Sequence, residues 1–336
     1  MTRPAQGRRR HRNARRRGSA MPLILIMLAA ALVLLCLFRN AAPAEPQPPA
    51  GSGTAARTAD TPRPSAPENS ALYWGNPSGA RADPDSSANY LMEKAQYALS
   101  YNAGTLIPNW VMWHLCAADL GGAERGDSFR PDRTLPAEWR AVSKSDYQYA
   151  KYGFDRGHLC PSADRTADAD ANDETFLMTN MIPQAPDCNR IVWKALEDYG
   201  RSLAKDGKEL YIAAGPHGTG GTGAAGFFES IELPTRKDAG YAGGGSGGAI
   251  AVPAACWKVI LVLEEGDDDF SRVTAETPAI AVFIPNRQGV ARVGAWTHFL
   301  TTVDDIEEKT GFDFFSFLPD DIESAVEARK YAVPGE

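Results

Sequence analysis

The residues with the clearest chemical potential lie in one stretch, Tyr152-Gly153-Phe154-Asp155-Arg156-Gly157-His158-Leu159-Cys160-Pro161. Gly157 lets the backbone turn tightly just before His158, and Pro161 ends regular structure soon after. A histidine at such a turn can project its imidazole into a cleft. With an ordinary pKa of about 6.5, the neutral ring can accept a proton at pH 7. Asp155 and Arg156 add a carboxylate and a guanidinium that can orient the turn or an anionic group. By itself the tetrapeptide suits a hydrogen-bonded structural histidine as well as a general base.

A second set of polar residues follows on a helix. From Asp187 to Gly207 the sequence reads DCNRIVWKALEDYGRSLAKDG. Asp187 suits an N-cap and Gly207 a C-terminal stop. Val192, Leu196, Tyr199 and Leu203 form one apolar stripe for the core. Asn189, Trp193 and Glu197 follow at i+4 spacing on a neighbouring row, so Asn189 and Glu197 are expected together at the helix rim. Trp193 reads as a packed core residue, and Glu197 could pair with Arg201 one turn on.

Elements must hold these two sets against each other. Trp110 to Leu115, Glu209 to Ala213, Cys256 to Leu263 and Ala279 to Ile284 read as strands, being short apolar or alternating runs bounded by Gly, Pro or charge. Phe176 to Gln184 (FLMTNMIPQ) reads as a further strand before the helix. The order is a strand end with His, a connection, a strand, then a helix with Asn. That is the layout of a ββα-metal finger. Gly218–Gly226 and Gly240–Gly248 read as loop or hairpin connections. Neither has the Lys-Ser/Thr ending of a phosphate cradle.

The DRGH tetrapeptide, TNMIPQ and the Asn-x-x-x-Trp-x-x-Leu-Glu spacing occur together and in order. In these motifs the chain resembles the DNA/RNA non-specific endonuclease family, which includes endonuclease G and the Serratia nuclease. The resemblance runs from about Leu72 to about Lys330. It implies an α+β fold, a mixed and mainly antiparallel sheet carrying the finger, and hydrolysis of DNA and RNA to 5′-phosphate and 3′-hydroxyl ends. His158 matches the general base and Asn189 the residue that binds a single Mg²⁺, for which Mn²⁺ is a possible substitute. Glu197 matches the acid that holds the metal's water shell, and Asn180 an active-site amide. Arg125, four residues before Phe129, matches an arginine that contacts phosphate. Asp155 and Arg156 belong to the motif. Such a site makes physical sense, because Mg²⁺ favours oxygen ligands and often keeps several waters beside one or two protein oxygens.

Charge and hydropathy divide the chain. Residues 1–70 carry 11 Arg, no Lys and three acids, net +8, whereas the remainder carries 24 basic and 39 acidic groups, net −15. An acidic domain argues against broad, sequence-independent binding to nucleic acid, which depends on Lys and Arg neutralising phosphates. Phosphate must then be handled by a local basic site or a bound metal. Residues 1–20 are read as a basic cytoplasmic tail, and Met21 to Phe38 as an apolar signal anchor, about 27 Å long as a helix. Residues 39–70 are rich in Pro and Ala and read as a disordered linker. Residues 71–336 form the nuclease domain. Arginine before the apolar run places the domain outside the cytoplasm. Secretion after cleavage near Ala41–Ala44 is the alternative. Cys116, Cys160, Cys188 and Cys256 could form two disulfides in an oxidising compartment. A zinc site of His158, Cys160, Cys188 and Cys256 is disfavoured, since no CxxC pair supports it. A homodimer is compatible with the sequence. The alternative function is a catalytically silent nuclease-like domain that binds nucleic acid or a partner protein.

Overall fold

The computed structural model describes residues 64–234 and 248–335. Among these, the runs richest in apolar side chains form the middle of a seven-stranded sheet. Strands β1 (Tyr90–Glu93), β2 (Ala98–Asn102) and β3 (Ile107–Leu115) lead into it. Two short strands, β4 (Asp155–His158) and β5 (Met181–Gln184), stand apart as a separate pair. Next come β6 (Lys208–His217) and a small hairpin of β7 (Gly221–Gly223) with β8 (Gly226–Phe228). The last strands are β9 (Ser230–Glu232), β10 (Ala249–Ala251), β11 (Ala255–Glu264), β12 (Ala279–Pro285) and β13 (Leu300–Thr301). The main sheet has the order β1-β2-β3-β6-β11-β12-β13, and every pairing in it is antiparallel. Among the described residues, parallel contacts occur only as isolated bridges, such as Arg130 with Leu177. The fold is α+β.

The sheet is covered on both faces, which explains why its central strands read as almost unbroken apolar runs. Alternation along β11 sends Cys256, Ile260 and Val262 into one core and Trp257, Val259 and Leu261 into the other. In β3, Val111 and Trp113 join the first core, Trp110 and Met112 the second. The first core also takes in Leu159, Met181, Ile182, Val192 and Trp193, so the β4–β5 pair and the helix after it pack on that face. The second core takes in Tyr73 and Trp74 together with Val303, Ile306 and Val326, from helices α2 (Val303–Thr310) and α3 (Asp320–Glu327).

Two local expectations need correction. Phe176 to Gln184 is not one strand. Met178–Asn180 is a 3₁₀ turn, and only Met181–Gln184 pairs with β4. The expected helix is present, but it begins as a π-helix over Cys188–Trp193 and continues as α1 (Lys194–Lys205). Asp187 stands at the N-cap position, but its side chain makes no capping hydrogen bond. Its carboxylate accepts hydrogen bonds from Gln288 Nε2 at 2.7 Å and Gly289 N at 2.8 Å. Gly207 has the positive φ of a C-terminal stop.

Of the glycine-rich segments, the first forms the β7–β8 hairpin, and residues 235–247 lie outside the described residues. The apolar run Met21–Phe38, with the tail before it and most of the linker, also lies outside them. Among the described residues no helix is long and apolar enough to cross a membrane. Cys116, Cys160, Cys188 and Cys256 are all free thiols.

Candidate active site

His158 is the last residue of β4, held in register opposite Met181 of β5. Gly157 beside it is required for space rather than for a turn. A Cβ there would meet Gln184 Oε1 at 2.0 Å and Gln184 Cβ at 2.8 Å. Gln184 is fully buried, and its Cβ as well as its amide lies in the way. Gly157→Ala should therefore destabilise the fold by about 1–3 kcal/mol, as overpacking does. Urea unfolding measures this, and a loss below about 0.5 kcal/mol would show that the neighbour yields freely.

The His158 imidazole is 93 % buried, packed against Phe129 with ring centroids 5.4 Å apart and edge-on to Phe176 at 4.9 Å. Its Nε2 has no hydrogen-bond partner. Burial, reinforced by the positive charges of Arg125 and Arg156, holds its pKa down at about 3. The ring is thus neutral throughout the physiological range, with a nitrogen lone pair that the fold does not use.

Arg125 and Arg156 are laid on the same aromatic walls. The Arg156 guanidinium carbon lies 4.5 Å from the Phe129 ring centre, and that of Arg125 lies 5.3 Å from Phe176. Arg125 donates to Ser162 Oγ at 2.9 Å, while Arg156 Nε is buried without a partner. Neither arginine is in an ion pair among the described residues. Arg125, Arg156 and Lys144 gather around Asp127, leaving an excess of positive charge beside a neutral histidine in an acidic domain. Planar guanidinium groups suit phosphate oxygens.

Asp155, at the start of β4, reaches across to the π-helix. Asn189 Nδ2 donates to Asp155 Oδ2 at 3.0 Å, and Arg190 grips the same carboxylate through Nε at 2.8 Å and Nη2 at 2.6 Å. The bond to Asp155 fixes the Asn189 amide so that its Oδ1 is left for another partner. Asp155 therefore orients Asn189 and Arg190, and through them the helix start.

Two residues sit differently from expectation. Asn180 is fully buried, and its amide is spent on backbone: Oδ1 accepts from Cys160 N, and Nδ2 donates to Cys160 O and Thr175 O. It holds the chain leaving His158 in place rather than facing a substrate. Glu197 is not at an open rim. Its carboxyl is nearly buried, 3.8 Å from Lys258 Nζ. Burial pushes the Glu197 carboxyl up to about 7 against the opposing pull of Lys258. Asp164 closes the group, accepting from Arg201 Nη1 at 2.7 Å and Trp113 Nε1 at 3.1 Å. Trp193 is a core residue, and its ring takes the Lys258 ammonium at 4.3 Å.

Sequence reasoning passed over Lys258, Asp164 and Arg190. Lys258 was detectable as the one charge inside the apolar run Cys256 to Leu263. Nothing in spacing could have linked Arg190 to Asp155, 35 residues away.

The Asn189 Oδ1 is an oxygen donor of the kind that a hard divalent cation such as Mg²⁺ takes. With the unpartnered histidine and the arginine pair, the cleft suits hydrolysis of an anionic phosphate ester. Comparison with known proteins agrees. The profile of the DNA/RNA non-specific endonuclease family matches residues 75–321, and the chain belongs to that family. A nuclease from a Nostoc strain is 44 % identical over 258 residues, covering 77 % of this chain and 85 % of the relative. Nuclease C1 of Cunninghamella echinulata is 32 % identical over 257 residues, covering 74 % and 88 %. Among solved structures, a chain of the EndoG/EndoGI complex matches with a TM-score of 0.54 over 74 % of this chain and 91 % of its own length. At 23 % identity, that match bears on the fold.

Proposed function

We propose that the protein hydrolyses phosphodiester bonds within DNA and RNA, with His158 as the general base that deprotonates the attacking water. What carries this reading is the His158 Nε2: buried, unpartnered and held neutral by burial and by two arginines, neither of them in an ion pair among the described residues. Arg125 and Arg156 bind the scissile phosphate and orient it for in-line attack. Asn189 Oδ1, aimed by Asp155, holds a divalent metal, Mg²⁺ with Mn²⁺ as a substitute, and Glu197 acts on it through water. The metal, when bound, supplies charge neutralisation on the phosphate and the leaving oxygen. Phe129 and Phe176 keep water from the buried side of the imidazole, and Asn180 fixes the backbone on which His158 stands.

The net charge of −15 outside the N-terminal 70 residues fits local rather than surface-wide phosphate handling. The proposal includes an extracytoplasmic domain tethered by residues 21–38, a reading supported by the arginine-flanked apolar run.

The test is substrate range and end chemistry. The full-length chain should fragment ribosomal RNA and both single- and double-stranded DNA, leaving 5′-phosphate and 3′-hydroxyl ends. Activity confined to one sugar type, or 3′-phosphate ends, would contradict the proposal.

A further inference from the structure

On the sheet face away from His158, four carboxyl groups converge between α2 and α3. Asp304 and Glu307 stand three residues apart and so share one side of α2. Glu327, in the last turn of α3, lies across from them, and one carboxylate oxygen from each of the three comes within 4.8 Å of the others. Glu323 is one turn earlier in α3. Glu327 is 94 % buried, and its Oε1 has no hydrogen-bond partner. Glu323 Oε1 is buried and unpartnered in the same way. Among the described residues no lysine or arginine makes an ion pair with any of the four. Glu307 alone receives a backbone donor, Phe314 N at 2.7 Å.

Buried carboxylates normally come with a cation or with enough hydrogen-bond donors to replace water. Here the cluster has acids facing acids. Glu307 and Glu327 are hydrogen-bonded to each other.

We propose that Asp304, Glu307 and Glu327 bind a calcium ion that fastens α3 to α2. All the donors are hard oxygens, which favours an alkaline-earth ion over zinc or copper. Calcium accepts six to eight oxygens in irregular array, whereas magnesium demands near-octahedral order. Carboxylates from two helices, with exposed Asp304 leaving a side open to water, suit the larger ion. The site is independent of the nuclease reading, because it lies in the other core and shares no residue with the His158 cleft.

The test uses the full-length chain carrying Asn189→Ala, so that the proposed catalytic metal site is removed. Equilibrium dialysis at about 1 mM free calcium, within the range of extracellular calcium modules, should find about one ion per chain. Calcium should also raise the unfolding temperature. Adding Glu307→Gln and Glu327→Gln should abolish both effects. The same pair should raise the unfolding temperature of the metal-free protein, because neutral amides relieve the repulsion. Should that combination fail to fold, Asp304→Asn at the exposed ligand should still weaken calcium binding. Absence of bound calcium in the Asn189→Ala chain would overturn the proposal. So would binding unchanged by the glutamine or asparagine replacements.

Discussion

His158→Ala should lower the rate of phosphodiester cleavage by about 10²–10⁴-fold, the contribution a positioned general base makes. The structure supports a chemical loss rather than collapse. Nε2 of His158 makes no hydrogen bond, so its removal leaves no buried donor or acceptor orphaned. What is lost structurally is packing against Phe129 and Phe176, a cavity cost on the order of 1–3 kcal/mol. Circular dichroism should be unchanged while single-turnover cleavage falls. A variant retaining more than about a tenth of wild-type activity would remove His158 from the base role.

The same residue makes a stability prediction through pH. Its folded pKa of about 3 lies below the unfolded value of 6.5. The unfolded chain therefore binds the proton more readily, and stability falls as pH drops from about 6.5 toward 3. His158→Ala should lose that part of the acid dependence. Its destabilisation relative to wild type should be smaller at pH 4.5 than at pH 7 by urea unfolding.

Asn189→Ala should be comparably damaging, but with a different signature. Removing an outer partner of a metal ligand typically costs about 10–100-fold in affinity or activity, and loss of the ligand itself should cost at least that. Part of the loss should be recoverable at high Mg²⁺, whereas the His158→Ala loss should not be. Asp155→Ala should follow Asn189→Ala in kind and be milder, because Asp155 aims the amide and steadies Arg190 without supplying the Asn189 oxygen. A full-activity Asn189→Ala enzyme with unchanged Mg²⁺ dependence would exclude the assigned site.

The central strands were legible because alternation and burial on both faces of the sheet left plain apolar runs at β3, β6, β11 and β12. Short strands such as β1 and β13 lack that signal and were not found. The helix after β5 was legible from its apolar stripe, but its π-helical start was not, since side-chain spacing does not record hydrogen-bond register. Asp187 looks like a cap in isolation and is recruited instead by Gln288 and Gly289, 101 and 102 residues on. At the site, motif order pointed to His158 and Asn189 as candidates. The setting of Glu197 depends on Lys258 from β11, a long-range contact that local pattern cannot carry. Asn180 was found as a motif residue, yet its hydrogen bonds to Cys160 and Thr175 give it a supporting role.

Plasmid nicking by the purified full-length chain tests the central claim most directly. Supercoiled DNA should relax and then linearise with Mg²⁺ at neutral pH, stop with EDTA and resume when Mg²⁺ is restored in excess. Plasmid left intact in both Mg²⁺ and Mn²⁺, or cut equally well in EDTA, would contradict it.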